Sequence, residues 1–191
     1  MIRTLRTVAI GAAAAALVVG MTASPAAAKT RTFTDKRTDA VAALDITKVK
    51  VKNKKHAVVV RMTVPDFDKS KLGSVMLSIR TKSKGRPTFM VTKARIEGAG
   101  WMPPMFLDPT SEDIIVACKG DRVTFGAKSV TVRVPQRCLG ANRKAVRVQP
   151  VLMGRDPELE MLEELPEPGP DAPLDAYPTF SARMSPWVGY R

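Results

Sequence analysis

Residues 114–139 read IIVACKGDRVTFGAKSVTVRVPQRCL and hold the only two cysteines of the chain, Cys118 and Cys138. Inside this stretch Ser129 to Val134 alternates, with Val130, Val132 and Val134 on one side and Thr131 and Arg133 on the other. A period of two marks a strand with one buried and one solvated face. Ile114, Ile115 and Val116 form a short apolar run that is expected to pair with it. A Cys118–Cys138 bond would join the ends of these two strands and close a loop of 21 residues. In the chain-entropy picture such a closure stabilises by about 3 kcal/mol. A metal site or a catalytic thiol lacks support here, because there is no third cysteine and His56 is the only histidine.

Pairing of two cysteines implies an oxidising compartment, and the first residues agree with that. Arg3 and Arg6 precede an apolar run from Val8 to Gly20, followed by the small residues Ala26, Ala27 and Ala28. This is the layout of a secretory signal peptide over residues 1–28. The apolar run has 13 residues, short of the roughly 20 that a spanning helix needs. The expected mature chain begins at Lys29, is secreted and has no transmembrane segment.

The mature 163 residues carry 29 basic and 18 acidic side chains, a net charge of +11. The charge is uneven. Residues 29–155 have 27 basic and 10 acidic groups, net +17, whereas 156–191 have 2 and 8, net −6. The division expected is therefore a basic body at 29–155 and an acidic, proline-rich tail at 156–191 that packs back through its C-terminal end, burying Trp187.

Alternation places further strands in the body. In Asp45–Lys52, Val49 and Val51 oppose Lys48, Lys50 and Lys52; Ala57–Val64 carries Val58, Val60, Met62 and Val64 on one face. The Asn53-Lys54-Lys55 turn makes this pair a hairpin. Strands are also expected at Val75–Arg80, at Thr88–Glu97 with Met90, Ala94 and Ile96 on one face, and at Ala145–Leu152, with a turn over Lys82–Pro87. Lys29–Ala43 reads as a loop or arm, and Trp101–Phe106 as too rich in proline for regular structure. The fold class is all-β: an antiparallel β-sandwich or jelly roll of about seven to nine short strands with one disulfide.

The run Asp35-x3-Asp39 followed by Leu44-Asp45-Ile46-x2-Val49 resembles the opening of secreted sandwich domains of the DOMON and family-9 carbohydrate-binding type. Val130 to Leu139 and Ser185-Pro186-Trp187-Val188 are similar to a group of actinobacterial secreted proteins of unassigned activity. The resemblance covers most of the mature chain and implies a sandwich fold more than a function.

Catalysis finds no constellation. His56 stands beside a lysine-rich turn, where a solvated turn residue is the plainer account, and Asp35, Asp39, Asp45, Asp66 and Asp68 show no spacing that selects a carboxylate pair. No catalytic residue is assigned and the protein is read as no enzyme. Leu165-Pro166-Glu167-Pro168-Gly169 approaches a sortase signal, but proline stands for its threonine and no apolar tail follows. Asp35, Asp39 and Asp45 offer hard oxygen ligands suited to a structural calcium; capping of turns explains them more simply. No other cofactor is expected.

Lys48, Lys50 and Lys52 share a strand face at about 6.6 Å intervals, and Lys54 and Lys55 add charge at the turn. They suit an anionic envelope polymer or acidic surface; nucleic acid is not expected as the partner of an exported protein. Protection of a sheet edge is the competing explanation. Two alternatives stand beside the polyanion reading. One is a neutral-carbohydrate module stacking sugars on Trp101, Trp187 or Tyr190. The other is an interaction or inhibitor domain presenting a contact patch of Trp101, Met102, Met105 and Phe106; a loop that folds inward and plugs one end of the sandwich is the competing and favoured account of those residues.

Overall fold

Each of the six segments read from period-two alternation forms a strand. The computed structural model describes residues 29–36, 38–140, 144–155, 169–181 and 183–190. The expected signal peptide, Arg143 and residues 156–168 lie outside them. In chain order the strands are β1 (Lys29–Thr34), β2 (Lys48–Asn53), β3 (Ala57–Thr63), β4 (Leu72–Thr81), β5 (Thr88–Ile96), β6 (Gly100–Trp101) and β7 (Met105–Leu107). They continue with β8 (Ile115–Val116), β9 (Arg122–Gly126), β10 (Ser129–Pro135), β11 (Ala145–Gly154), β12 (Leu174–Ala176) and β13 (Val188–Gly189). One 3-10 turn covers Gln136–Leu139. Among the described residues no helix is long and apolar enough to cross a membrane.

The strands form an antiparallel β-sandwich. One sheet has five strands in the order β1-β2-β3-β10-β9; the other has eight, along the path β12-β11-β4-β5-β7-β8, with β13 on β11 and β6 on β5. The inward residues are those the alternation selects except in β5, where Phe89 and Val91 point into the core and the expected Met90, Ala94 and Ile96 face lies outward, Ile96 being 47% exposed. Val49, Val51, Val58, Val60, Met62, Val130, Val132 and Val134 face Val75, Leu77, Ile79, Phe89, Val91, Val146, Val148 and Leu152, all essentially buried in one core. This shared apolar layer is the main stabilising contribution, at about 1.5–3 kcal/mol for each fully buried large side chain.

Four further expectations are corrected. Lys29–Thr34 is a strand rather than an arm: a single inward ring, Phe33, stacks on Tyr177 at 5.6 Å, which is too little apolar repeat for period reading to detect. Trp101–Phe106 contains strand residues on both sides of Pro103 and Pro104, which occupy the link between β6 and β7. Ile115–Val116 pairs with β7 in the larger sheet, and β10 lies between β3 and β9 instead. The Cys118–Cys138 disulfide, with Cα atoms 5.8 Å apart, therefore joins the two sheets at their β8 and β10 sides rather than two paired strands.

The C-terminal residues supply β12 and β13, both on the free side of β11. Pro150 explains why that partner is in two pieces. A proline has no N–H to give a ladder; the Pro150 carbonyl accepts from Tyr177 N at 3.2 Å, so its missing donor faces the same side. Between the two pieces Ser185 bonds the backbone of Val148 through both its amide and its hydroxyl, at 2.8 and 2.9 Å. Buried Asn53 donates to the Val188 carbonyl at 3.1 Å and accepts from Gln136. Val188 is the residue that points inward, so Trp187 points out. It is half-buried rather than buried, with the Arg147 guanidinium 4.6 Å from its ring centre.

Phe106 is 1% exposed and stacks on Phe89 at 5.9 Å. Phe106→Ala should lower the unfolding free energy by about 3–5 kcal/mol. Ile115→Ala, at a site 63% exposed, should change it by less than about 0.5 kcal/mol. Urea denaturation of the two variants checks both values.

Candidate anion-binding face and buried acidic cluster

The pairing register decides what the lysine strand means. β2 is bonded to β1 on one side and β3 on the other, so it is not an edge and its lysines do not guard one. Lys48, Lys50 and Lys52 stand instead on the outer face of the five-stranded sheet. Across that face Lys50 lies opposite Thr32 and Arg61, and Arg61 opposite Thr131, which in turn faces Thr124. In the next row Lys52 lies between Thr30 and Val59, and Arg133 between Val59 and Arg122. Six cations thus share the surface with threonine hydroxyls, and the sequences of β1, β2, β3, β9 and β10 contain no aspartate or glutamate.

Neighbouring strands are about 4.8 Å apart and outward residues about 6.7 Å apart along a strand. All six charges therefore fall within a Debye length or so of a neighbour, and their potentials add. Two like-charge pairs, Lys50 with Arg61 and Arg122 with Arg133, sit directly opposite each other, an arrangement that destabilises a sheet. Arg133 partly escapes by donating to the Gly120 carbonyl at 2.9 Å. Lys54 and Lys55 are exposed at the β2–β3 turn and extend the basic surface past one end of the sheet.

The other expected residues are dispersed. His56 is exposed in the same turn, where its carbonyl accepts from Gln136 N at 3.1 Å. Phe106, expected in a contact patch, is a core residue; Trp101 is half-buried against Phe125, 4.8 Å between ring centres. Met102 and Met105 keep partial exposure. A cavity of about 970 Å³ is lined by Val41, Leu44, Lys71, Arg95, Ile96 and Arg155 among others, without histidine or cysteine.

The aspartates converge. Asp35 follows β1, Asp39 lies in the next loop, and Asp45 closely precedes β2. A fourth, Asp175, comes from β12 and has no neighbour in sequence to announce it. In the ladder it lies opposite Leu152, which is opposite Val75. Both are core residues, so β12 aims a carboxylate into the layer between the sheets. Carboxylate oxygens of Asp39, Asp45 and Asp175 all lie within 4.8 Å of one another.

Amides hold part of this cluster in place. Ile46 N donates to Asp175 Oδ2, Thr38 N to Asp45 Oδ2 at 3.0 Å, and Lys36 N to Asp35 Oδ1 at 3.0 Å. Among the described residues, Asp35 Oδ2, Asp39 Oδ1 and Asp45 Oδ1 are buried without a hydrogen-bond partner. Burial pushes Asp35 and Asp175 up to about 7, with repulsion from neighbouring aspartates adding to it and amide bonds opposing it. Asp39 is also raised, first by burial. The Tyr177 hydroxyl is raised by burial and by Asp35.

These shifts set a pH dependence for the protein in chelator. Between about 4 and 7 the folded state holds protons that the unfolded chain has released, so stability falls as pH rises through that window. Asp175→Asn keeps an acceptor for Ile46 N and removes one buried charge. Its stability relative to wild type should rise from about pH 5 to about pH 8, and a constant difference in thermal midpoint would contradict the assignment.

Comparison with known protein families, curated proteins and solved structures finds no match for the chain.

Proposed function

We propose that the protein is a secreted, non-enzymatic binding domain that takes anionic polymers of the cell envelope on the outer face of its five-stranded sheet. The carrying observation is the interior position of β2. Its three lysines share a face with Arg61, Arg122 and Arg133, on strands that contain no aspartate or glutamate, and edge protection accounts for none of the three lysines. Interspersed threonines add neutral donors for phosphate, sulfate or carboxylate oxygens. Like charges kept opposite one another, at a cost to the sheet, favour a ligand that neutralises them. The leader-like first 28 residues and the disulfide support an exported protein.

Retention on heparin and on a neutral glycan column, each across a salt series, tests this reading. Heparin retention should fall steeply with salt, and the Lys48→Gln, Lys50→Gln, Lys52→Gln triple variant should elute early with an unchanged fold. If each lost cation releases about 0.7–0.9 counterion, as in nucleic-acid complexes, the salt slope should shrink by about 2–3. Arg61→Gln should also weaken retention while raising stability by up to about 1 kcal/mol, because it relieves Lys50. Retention on the neutral column alone, insensitive to salt, would replace this reading with the neutral-carbohydrate one.

A further inference from the structure

We infer that Asp39, Asp45 and Asp175, with Asp35 at their border, form a site for one hard divalent cation of the calcium class, which ties the two sheets together. The spacing fits such an ion. Oxygens bound to calcium at about 2.4 Å are at most about 4.8 Å apart, and the oxygens of these three residues lie within 4.8 Å of each other.

The second observation is independent of the clustering. Asp45 is 7% exposed, and its Oδ1 has no hydrogen-bond partner among the described residues, whereas its Oδ2 accepts from Thr38 N. Asp175, 4% exposed, is likewise fixed through one oxygen by the Ile46 amide. Asp39 Oδ1 and Asp35 Oδ2 are buried and unpartnered too. The amides thus orient the carboxylates and leave acceptor oxygens over. A buried carboxylate oxygen with no donor is costly, and a cation shared by several such oxygens removes the cost for all of them.

The donor set selects the ion. Every donor in the cluster is a carboxylate oxygen, with no imidazole or thiolate, which disfavours zinc and copper. Calcium accepts six to eight oxygens in irregular geometry, while magnesium demands a near-ideal octahedron. Three carboxylates from separated segments, with the buried Asp35 oxygen at their border, provide number and irregularity together. Asp35, Asp39 and Asp45 flank β1 and β2 of one sheet and Asp175 belongs to β12 of the other, so the bound ion bridges the sandwich.

The test is calorimetric titration of chelator-treated protein with calcium chloride, with thermal midpoints measured in calcium, magnesium and sodium salts of equal ionic strength. Wild type should bind one calcium and gain thermal stability, more than in magnesium. Asp45→Asn and Asp175→Asn should each weaken calcium binding by about tenfold or more, while Asp113→Asn, at an exposed position, leaves it unchanged. Absence of heat and of any midpoint shift in wild type up to about 10 mM calcium, beyond the weak extracellular range, overturns the proposal without needing a variant. Equal calcium affinity in wild type and Asp45→Asn overturns it as well, by placing the ion elsewhere.

Discussion

Two sheets laid face to face hide their broad surfaces but leave two flanks where the apolar layer meets water. How those flanks are closed governs the rest of this structure. On the β8/β10 side the closure is covalent, through Cys118 and Cys138. On the β1/β12 side it consists of the Phe33–Tyr177 stack and the carboxylates of Asp35, Asp39, Asp45 and Asp175. A hydrophobic layer alone fixes neither the angle nor the slip between sheets, because its attraction has no direction. Directional bonds at the flanks supply both. Asp175, held by the Ile46 amide across 129 positions of sequence, is the clearest of them.

Much of the fold was legible because the core strands alternate. β3, β4, β10 and β11 each carry three or more inward aliphatic residues at a spacing of two, and a one-residue slip would turn every one of them to water. The Lys82–Pro87 turn was equally plain, and Gly85 there has φ of 76°, a value glycine adopts freely. Short peripheral strands were not legible. β1 has one inward aromatic, β9 only Val123 and Phe125, and β12 and β13 depend on a partner interrupted at Pro150. Their pairing is imposed by the neighbours they cover, and a sequence window contains no trace of that.

The candidate sites divide the same way. Three of the four clustered aspartates fall within eleven residues and were visible as a group; Asp175 was hidden in an acidic stretch that reads as surface. Its signal was local and faint: one charge between Leu174 and Ala176, both buried. The lysines were visible, but their meaning was not. Whether a basic strand guards an edge or furnishes a face depends on a neighbour, and β1 was not recognisable as one. Sheet order is a property of the whole chain, and here it removes edge protection as the explanation of the β2 lysines.

The position of β13 bears on how the molecule is made. Val188 enters the core beside β11, its carbonyl takes the side-chain amide of Asn53, and Arg31 of β1 reaches the Trp187 carbonyl at 3.2 Å. The first and last strands are thus mutual supports. The β2–β3 and β4–β5 hairpins are local in sequence, whereas the pairing of β13 with β11 brings residue 188 back to residue 146. Pairings this distant in sequence make folding slow.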